Sequence, residues 1–169
     1  VPPVSPGAKF NLISDGMFPG GEVIVESVGE HTIKFRRIQG GTANEPTIKG
    51  GSINPYGAMK TGRTMEICAQ NRMPIINLTE SGGADLPTQS DLFVPAGQIF
   101  HDLTQLSALG IPTVALVFGN STAGGAYVPG MCDYSVLVDG QAKVFLGGPP
   151  LVKMATGEES DDEELGGAA

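Results

Sequence analysis

Two pairs of adjacent glycines, each placed just after an apolar run, are the residues of this sequence best suited to do chemistry. They lie in residues 81–84 (SGGA) and 122–126 (TAGGA), which we call the first and the second glycine loop. A Gly-Gly pair between a strand and a helix leaves backbone N–H groups unshielded by side chains. If Gly124-Gly125 begins a helix, its first N–H groups also lie at the positive end of the helix dipole. Such donors bind a phosphate or stabilise an oxyanion; the alternative is that both pairs are only tight connections.

The sequence gives little support for a protein nucleophile or base. Neither a G-x-S-x-G elbow nor a nucleotide-binding glycine motif is present. Ser81 and Ser121 have no recognisable base partner, and neither His31 nor His101 lies in a motif that would make it a base. Reactions that need backbone stabilisation of a negative oxygen are therefore favoured over reactions that need a protein nucleophile.

The elements that must position the two loops alternate between strand and helix. Apolar residues recur at helical spacing in 57–72 and 95–109, and Pro95 is expected near the start of the second helix. Continuous apolar runs predict strands that are buried on both faces, which is typical of a parallel sheet covered by helices. We predict an α/β fold with strands at 75–78, 112–118, 135–138 and 144–146, and a short helix at 149–155.

The first part of the chain has a different pattern. Residues 1–21 are rich in Pro and Gly and predict an irregular lead-in. Alternating residues at 22–27 and 31–38 predict a β-hairpin, and 47–51 predict a short strand that runs into a glycine turn. We therefore divide the chain into a lead-in with a hairpin at 1–44 and a larger region at 45–169.

Composition narrows the class of partner. The net charge of -8 argues against nucleic acid. No stretch approaches the ~20 apolar residues of a membrane span, and no signal peptide opens the chain, so we expect a cytoplasmic or organellar protein. The acidic run at 158–164 is expected to form a solvated face. Cys68 and Cys132 lack ligand spacing, which argues against a disulfide scaffold and against a metal site.

An ordered set of motifs around the loops resembles a known family. Residues 78–87 (LTESGGADLP) resemble the first substrate loop of the β subunits of acyl-CoA carboxyltransferases, and 110–112 (GIP) with 122–129 (TAGGAYVP) resemble the second. Further motifs of the family come after these two loops in the same order, and one motif comes before them. These further motifs are 47–51 (TIKGG), 145–153 (FLGGPPLVK), 155–159 (ATGEE) and 165–168 (LGGA). The resemblance covers about residues 45–169.

The resemblance implies a crotonase-like fold and a biotin-dependent reaction on an acyl-CoA. In that family the carboxyl group arrives on carboxybiotin, and released biotin is thought to serve as the base. Backbone N–H groups of the two glycine loops bind the thioester oxygen. Carried over, the candidate catalytic residues are Gly82 or Gly83 and Gly124 or Gly125. Residues 126–129 and 148–153 look closer to the methylcrotonoyl- and geranyl-CoA carboxylases than to propionyl-CoA carboxylases.

The resemblance also implies partners. Biotin would be carried on a biotin carboxylase or biotin carrier subunit, and the full-length subunit would form a homo-oligomer, in the cytoplasm or the mitochondrial matrix. The family's β subunits are longer, and a second crotonase-like domain helps to form their biotin site. Because that C-terminal domain is missing from this sequence, we expect 45–169 to be the acyl-CoA side of the N-terminal domain and to be inactive alone.

Two other functions stay open at this point. A biotin-dependent acyl-CoA decarboxylase uses similar loops in the reverse direction, and a genomic neighbour that encodes a membrane sodium pump would favour it. A non-catalytic acyl-CoA-binding module would bind CoA esters without exchanging any carboxyl group.

Overall fold

A computed structural model of the protein describes the backbone of residues 9–11, 22–29 and 32–36 and the whole of residues 41–168. The chain divides into two compact units, 1–39 and 40–169. The first unit contains an antiparallel sheet in the order β1-β2-β3. Its strands are β1 (Lys9–Asn11), β2 (Glu22–Gly29) and β3 (Thr32–Arg36). The predicted irregular lead-in thus contains a strand, and His31 lies outside the described residues.

The second unit is built on a five-stranded parallel sheet. Four strands follow the order β4-β5-β6-β7, and β8 pairs with the carboxyl-terminal end of β6. The strands are β4 (Gly41–Ala43), β5 (Ile75–Ser81), β6 (Thr113–Thr122), β7 (Tyr134–Leu137) and β8 (Lys143–Phe145). Successive residues at the start of β5 and β6 are buried, as expected for strands covered on both faces. The predicted parallel sheet is confirmed.

Two long helices form the core with this sheet. They are α1 (Pro55–Asn71) and α2 (Gln89–Ala108), and each presents one apolar stripe. The stripes pack together with Ile75, the first residue of β5, and with Ile111, two residues before β6. The buried cluster consists of Ala58, Met65, Cys68, Ile75, Leu92, Ile99, Leu103, Leu106 and Ile111.

The ends of α1 are explained by local sequence. The Asn54 side chain accepts a hydrogen bond from the Gly57 amide at 2.8 Å, and Pro55 occupies the first turn, where no N–H is needed. At the other end Arg72 adopts the left-handed conformation, and the Met73 amide donates back to the Cys68 carbonyl at 2.9 Å. Pro74 then excludes further helix.

The predicted start of α2 is wrong. The helix begins at Gln89, so Pro95 lies inside it instead of near its first turn. Leu92 explains the difference, because it lies seven residues before Ile99 and extends the buried stripe by two turns. Burial of a leucine side chain is worth about 1.5–3 kcal/mol, which is comparable to the ~3 kcal/mol that an internal proline costs.

Three shorter helices complete the second unit, namely α3 (Gly124–Met131), α4 (Pro149–Thr156) and α5 (Asp162–Gly166). The end of the acidic run forms the first turn of α5, and the Asp161 side chain caps this helix by accepting from the Glu163 amide at 2.8 Å. Glu163 also forms an ion pair with the buried side chain of Lys143 on β8. The pair raises the pKa of Lys143. The expected solvated face is confirmed for the other acidic residues of the run, all of which are exposed, whereas Glu163, whose side chain is 37% exposed, also attaches α5 to the sheet.

The helices in the described part of the chain differ from membrane spans in their length or their polarity. None of them is both long enough and apolar enough to cross a bilayer.

Candidate functional site

Both glycine loops lie at the carboxyl-terminal edge of the parallel sheet. β5 and β6 are parallel neighbours, with Ile75 opposite Thr113 and, beyond an irregularity after Thr79 where β6 has two extra residues, Ser81 opposite Ser121. Because parallel strands all end at one edge, the segments that come after them emerge side by side, where α/β proteins bind ligands. The structure therefore brings the loop of Gly82 and Gly83 next to the loop of Gly124 and Gly125.

The two loops touch so closely that side chains are excluded. A side-chain carbon added to Gly83 would lie 2.9 Å from the Thr122 carbonyl oxygen and 3.7 Å from the Gly124 nitrogen. One added to Gly125 would lie 2.8 Å from the Ser81 Cβ and 3.1 Å from the Ser81 carbonyl oxygen. Gly83 also has a φ of +87°, which L side chains rarely adopt. Glycine is therefore required in each loop for close approach to the other.

The amides of the first loop have acceptors inside the protein. The Gly82 N–H donates to the Gly50 carbonyl oxygen at 2.7 Å, and the Gly83 N–H donates to the Ser81 hydroxyl oxygen at 3.1 Å. The bond from Gly82 is a short backbone bond in a fixed segment, whereas the bond from Gly83 ends on a hydroxyl group that rotates. Of the two predicted donors in this loop, Gly83 is the one more easily released to a ligand.

The amides of the second loop are arranged differently. Gly124 and Gly125 are the first two residues of α3, so no carbonyl within the helix accepts from their N–H groups. Their N–H groups form no hydrogen bond with the other described residues. The condition stated from the sequence, that this glycine pair begins a helix, is met. At the positive end of α3 these donors suit a negative oxygen.

Ala123, just before α3, has a strained backbone. Its φ and ψ are 51° and −116°, a region that costs a residue with a side chain about 1–3 kcal/mol. The Ala123 N–H donates to the Phe145 carbonyl oxygen on β8 at 3.1 Å, and its own carbonyl accepts from the Ala126 N–H at 3.0 Å. These two bonds hold the sharp turn from β6 into α3, directly before the amides of Gly124 and Gly125.

The segment at residues 47–51 packs against the first loop and the end of β5. The sequence predicts a strand here, but the chain forms a turn and then a 3₁₀ turn at Lys49–Gly51, with positive φ at all three residues. A side-chain carbon on Gly51 would collide with the Glu80 carbonyl oxygen, so the segment packs directly against the end of β5. Close packing and left-handed backbone thus replace the predicted strand.

Ile53 and Asp85 continue this support. The Ile53 N–H donates to the Gly83 carbonyl at 2.7 Å, and the Asp85 N–H donates to the Ile53 carbonyl at 2.8 Å. The buried Asp85 carboxylate accepts from Lys49 Nζ at 2.9 Å and from Thr88 Oγ1 at 2.9 Å. The hydrogen bond from Lys49, and then that from Thr88, lower the pKa of Asp85. Sequence reasoning gives Asp85 no role, although its position two residues after the glycine pair is a usable signal.

An aromatic pair borders the second loop. The rings of Phe100 on α2 and Tyr127 on α3 have centroids 5.1 Å apart, and Tyr127 is half-exposed. The Phe100 ring lies 4.0 Å from the place of a side-chain carbon on Gly124. The surface beside the open amides is therefore apolar, and the sequence pattern does not reveal this pair.

The side chains that could have served as nucleophile or base have ordinary surroundings. His101 is exposed beside Asp102, at 3.2 Å. Burial raises the pKa of Cys132 to about 11 and also raises that of Cys68, so both are thiols at neutral pH. Within residues 41–168 no His or acidic side chain is hydrogen bonded to Ser81 or Ser121. That part of the chain also contains no group of three His, Cys, Asp or Glu residues that could hold a metal ion.

Comparison with known proteins gives relatives that contain the same segment. The chain is 68% identical over 126 residues to a probable biotin-dependent acyl-coenzyme A carboxylase beta2 subunit of Mycobacterium tuberculosis. This match covers 75% of the chain and 24% of the relative. The chain is 52% identical over 172 residues to the biotin-dependent 3-methylcrotonyl-coenzyme A carboxylase beta1 subunit of the same organism, covering 97% of the chain and 32% of the relative. It thus spans a third or less of these relatives.

A solved structure shows the same architecture. The beta subunit of geranyl-CoA carboxylase from P. aeruginosa is similar with a TM-score of 0.69 at 43% identity, over 87% of this chain and 26% of that one. The predicted crotonase-like fold is thereby confirmed. Residues 39–169, which include both glycine loops, match the family model of the carboxyl transferase domain. The chain belongs to the carboxyl transferase domain family.

Proposed function

We propose that this chain binds an acyl-CoA and stabilises the enolate of its thioester in a biotin-dependent acyl-CoA carboxylase. One observation carries the proposal: two glycine loops meet at the edge of a parallel sheet, and the amides of Gly124 and Gly125 point away from every acceptor within α3. On this proposal residues 45–169 form the acyl-CoA side of the N-terminal carboxyltransferase domain, and 1–44 precede it as a lead-in with a β-hairpin.

The chemistry depends on where charge develops. Removal of a proton beside a thioester carbonyl shifts negative charge onto the carbonyl oxygen, so donors aimed at that oxygen stabilise the transition state more than the substrate. Backbone amides suit this task because strands and helices fix them and because they have no protonation state to lose. We assign the donors to Gly124 and Gly125 in the second loop and to Gly83 in the first, where its bond to Ser81 is exchangeable.

Gly82 has a different part in the proposal. The sequence makes it a candidate donor, but its N–H is committed to the Gly50 carbonyl, so we assign it to holding the first loop. The Phe100–Tyr127 pair supplies apolar surface beside the donors, which suits an acyl chain.

The other reactant must come from outside this chain. Carboxybiotin supplies the carboxyl group when it is bound, and we propose that a biotin carrier or biotin carboxylase subunit brings it. No described residue is assigned to biotin, because the open donors that we identify all belong to the thioester side. We further propose a homo-oligomeric subunit with a second crotonase-like domain, in the cytoplasm or the mitochondrial matrix. The names of the relatives favour a branched enoyl-CoA over propionyl-CoA as the substrate.

The test is incorporation of labelled bicarbonate into acyl-CoA by the holoenzyme that contains this chain, with ATP present. We expect label in methyl-branched enoyl-CoA and loss of incorporation when avidin sequesters the biotin. Carboxyl release from a malonyl-type CoA without incorporation would replace the proposal by decarboxylation. Tight binding of CoA esters with neither reaction would replace it by a binding module.

A further inference from the structure

We infer that Ser81 is a positioning residue that sets the distance and orientation between the two glycine loops. The inference rests on the proposed function, because it concerns the donors that this function requires. Ser81 is the last residue of β5 and is 1% exposed. Its side chain therefore acts entirely inside the protein.

The Ser81 side chain contacts both loops at once. Its Oγ accepts from the Gly83 N–H at 3.1 Å, which closes a turn two residues long. On the other side a side-chain carbon on Gly125 would lie 2.8 Å from the Ser81 Cβ and 2.9 Å from its Oγ. Before substrate binds, the same few atoms thus orient one proposed donor, whose bond then passes to the thioester oxygen, and they lie against the backbone of another.

Ser121 provides an internal comparison. It is the register partner of Ser81 on β6, so both side chains project from the same face of the sheet. Ser121 is also fully buried, but its Oγ has no hydrogen-bond partner among residues 41–168. Two serines with the same burial therefore differ in one respect: only Ser81 is bonded to a proposed donor.

This contact has a kinetic consequence. Donors to the thioester oxygen act mainly in the transition state, so a small error in their orientation lowers kcat more than it changes KM. A serine that only filled space would instead affect the stability of the fold, without a selective effect on kcat.

The experiment compares Ser81→Ala with Ser121→Ala in the carboxylase holoenzyme. We expect Ser81→Ala to lower kcat by about tenfold to a hundredfold with KM within about threefold, and Ser121→Ala to leave kcat within about twofold. Equal kcat for the two variants, or a rise in KM as large as the fall in kcat, would overturn the inference. A wild-type holoenzyme without carboxyl transfer would instead refute the proposed function, and the inference with it.

A second pair of variants tests the contact even if Ser81→Ala folds poorly. Ser81→Gly should lower kcat in the wild-type background, because it removes the side chain that orients the Gly83 amide before substrate binds and that packs against Gly125. In a Gly125→Ala background the same change should raise kcat, because it removes the two side-chain atoms that the new carbon meets. An effect of the same sign in both backgrounds would show that Ser81 does not set the spacing between the loops.

Discussion

The two glycine loops look alike in sequence, yet their backbone amides differ in whether they have hydrogen-bond acceptors inside the protein. Each loop comes after an apolar strand, and each has two adjacent glycines. In the first loop the N–H groups of both Gly82 and Gly83 have acceptors inside the protein. In the second loop Gly124 and Gly125 are the first two residues of a helix, so no carbonyl within that helix accepts from their N–H groups.

The difference comes from the element on the carboxyl-terminal side of each glycine pair. After the first pair Ala84 forms a β-bridge with Ile53. The left-handed segment Lys49–Gly51 also packs against this loop, and its Gly50 carbonyl accepts a hydrogen bond from the Gly82 N–H. After the second pair a helix begins at once, and a helix cannot satisfy its own first amides. A glycine pair in the sequence therefore predicts close approach, whereas the next element decides whether the amides remain open.

The strongest test of the second loop is Gly125→Val. A branched side chain meets Ser81 and tilts the amides of α3, so we expect a loss of about a hundredfold or more in kcat. Carboxyl transfer by the holoenzyme is the measurement. Gly130→Val is the matched control in the same helix, because a side-chain carbon there meets nothing within 4 Å. Near-normal turnover in folded Gly125→Val enzyme would contradict the assignment of the open donors.

Gly83→Ala tests the first glycine loop, whose amides have acceptors inside the protein. The change strains a left-handed residue by about 1–2 kcal/mol and brings Cβ to 2.9 Å from the Thr122 carbonyl oxygen. We expect lower resistance to denaturant and a fall in kcat of about tenfold, less than for Gly125→Val. Gly97→Ala, a helical glycine with open space around it, should not lower stability. If Gly83→Ala were the more damaging of the two glycine variants, the roles of the loops would be reversed.

A smaller effect is expected from the ion pair that supports only the first loop. The pKa of Asp85 is lowered in the folded state, so its carboxylate adds stability above its ordinary pKa. That contribution is lost as the pH falls through the lowered value. Asp85→Asn should therefore be less stable than wild type at neutral pH, and the gap in stability should narrow as the pH falls below about 3.9, the ordinary aspartate pKa. Denaturant unfolding at neutral pH and at an acidic pH below that value measures the gap.

The control for that measurement is Glu159→Gln, which removes an ion pair between two exposed side chains, Glu159 and Lys153. Such pairs contribute little, so its unfolding should differ little from wild type at either pH. A gap for Asp85→Asn that stays constant with pH would mean that Asp85 supports the loop by shape alone.

The smallest effects are expected where neither loop is touched. Cys68→Ser, Cys132→Ser, His31→Gln and His101→Gln should each retain turnover in protein that remains folded, because the proposed reaction uses backbone donors. Steady-state carboxyl transfer is the measurement. A fall of more than about a thousandfold in any of them would reveal a missed base or nucleophile.

Much of the second unit can be predicted from periodicity. The spacing of Ala58, Met65 and Cys68 places α1 within two residues of its observed start, and the apolar runs locate β5 and β6. These signals are strong because burial dominates the energy of long elements. The positions of the four candidate glycines are visible for the same reason, since each pair comes after a buried strand.

The remaining features depend on contacts between distant residues. Lys49–Gly51 adopts left-handed backbone because Gly51 lies against Glu80, and no local pattern reveals that neighbour. The acceptors of the Gly82 and Gly83 amides are equally invisible, because hydroxyl and carbonyl groups are present all along the chain. Pro95 lies inside α2 because burial of Leu92 favours the longer helix.

The hydrogen bond from the Ala123 N–H to the Phe145 carbonyl also affects when the second loop can form during synthesis. During synthesis the turn before α3 emerges first, and the carbonyl that holds its amide emerges later on β8. β8 is in turn attached through Lys143 to Glu163, 40 residues after Ala123 (163 − 123). At about 5–20 residues per second, a nascent chain thus contains the second loop for roughly 2–8 s before Glu163 is added. The second loop, proposed to do the chemistry, is therefore completed only after a segment distant in sequence has been synthesised.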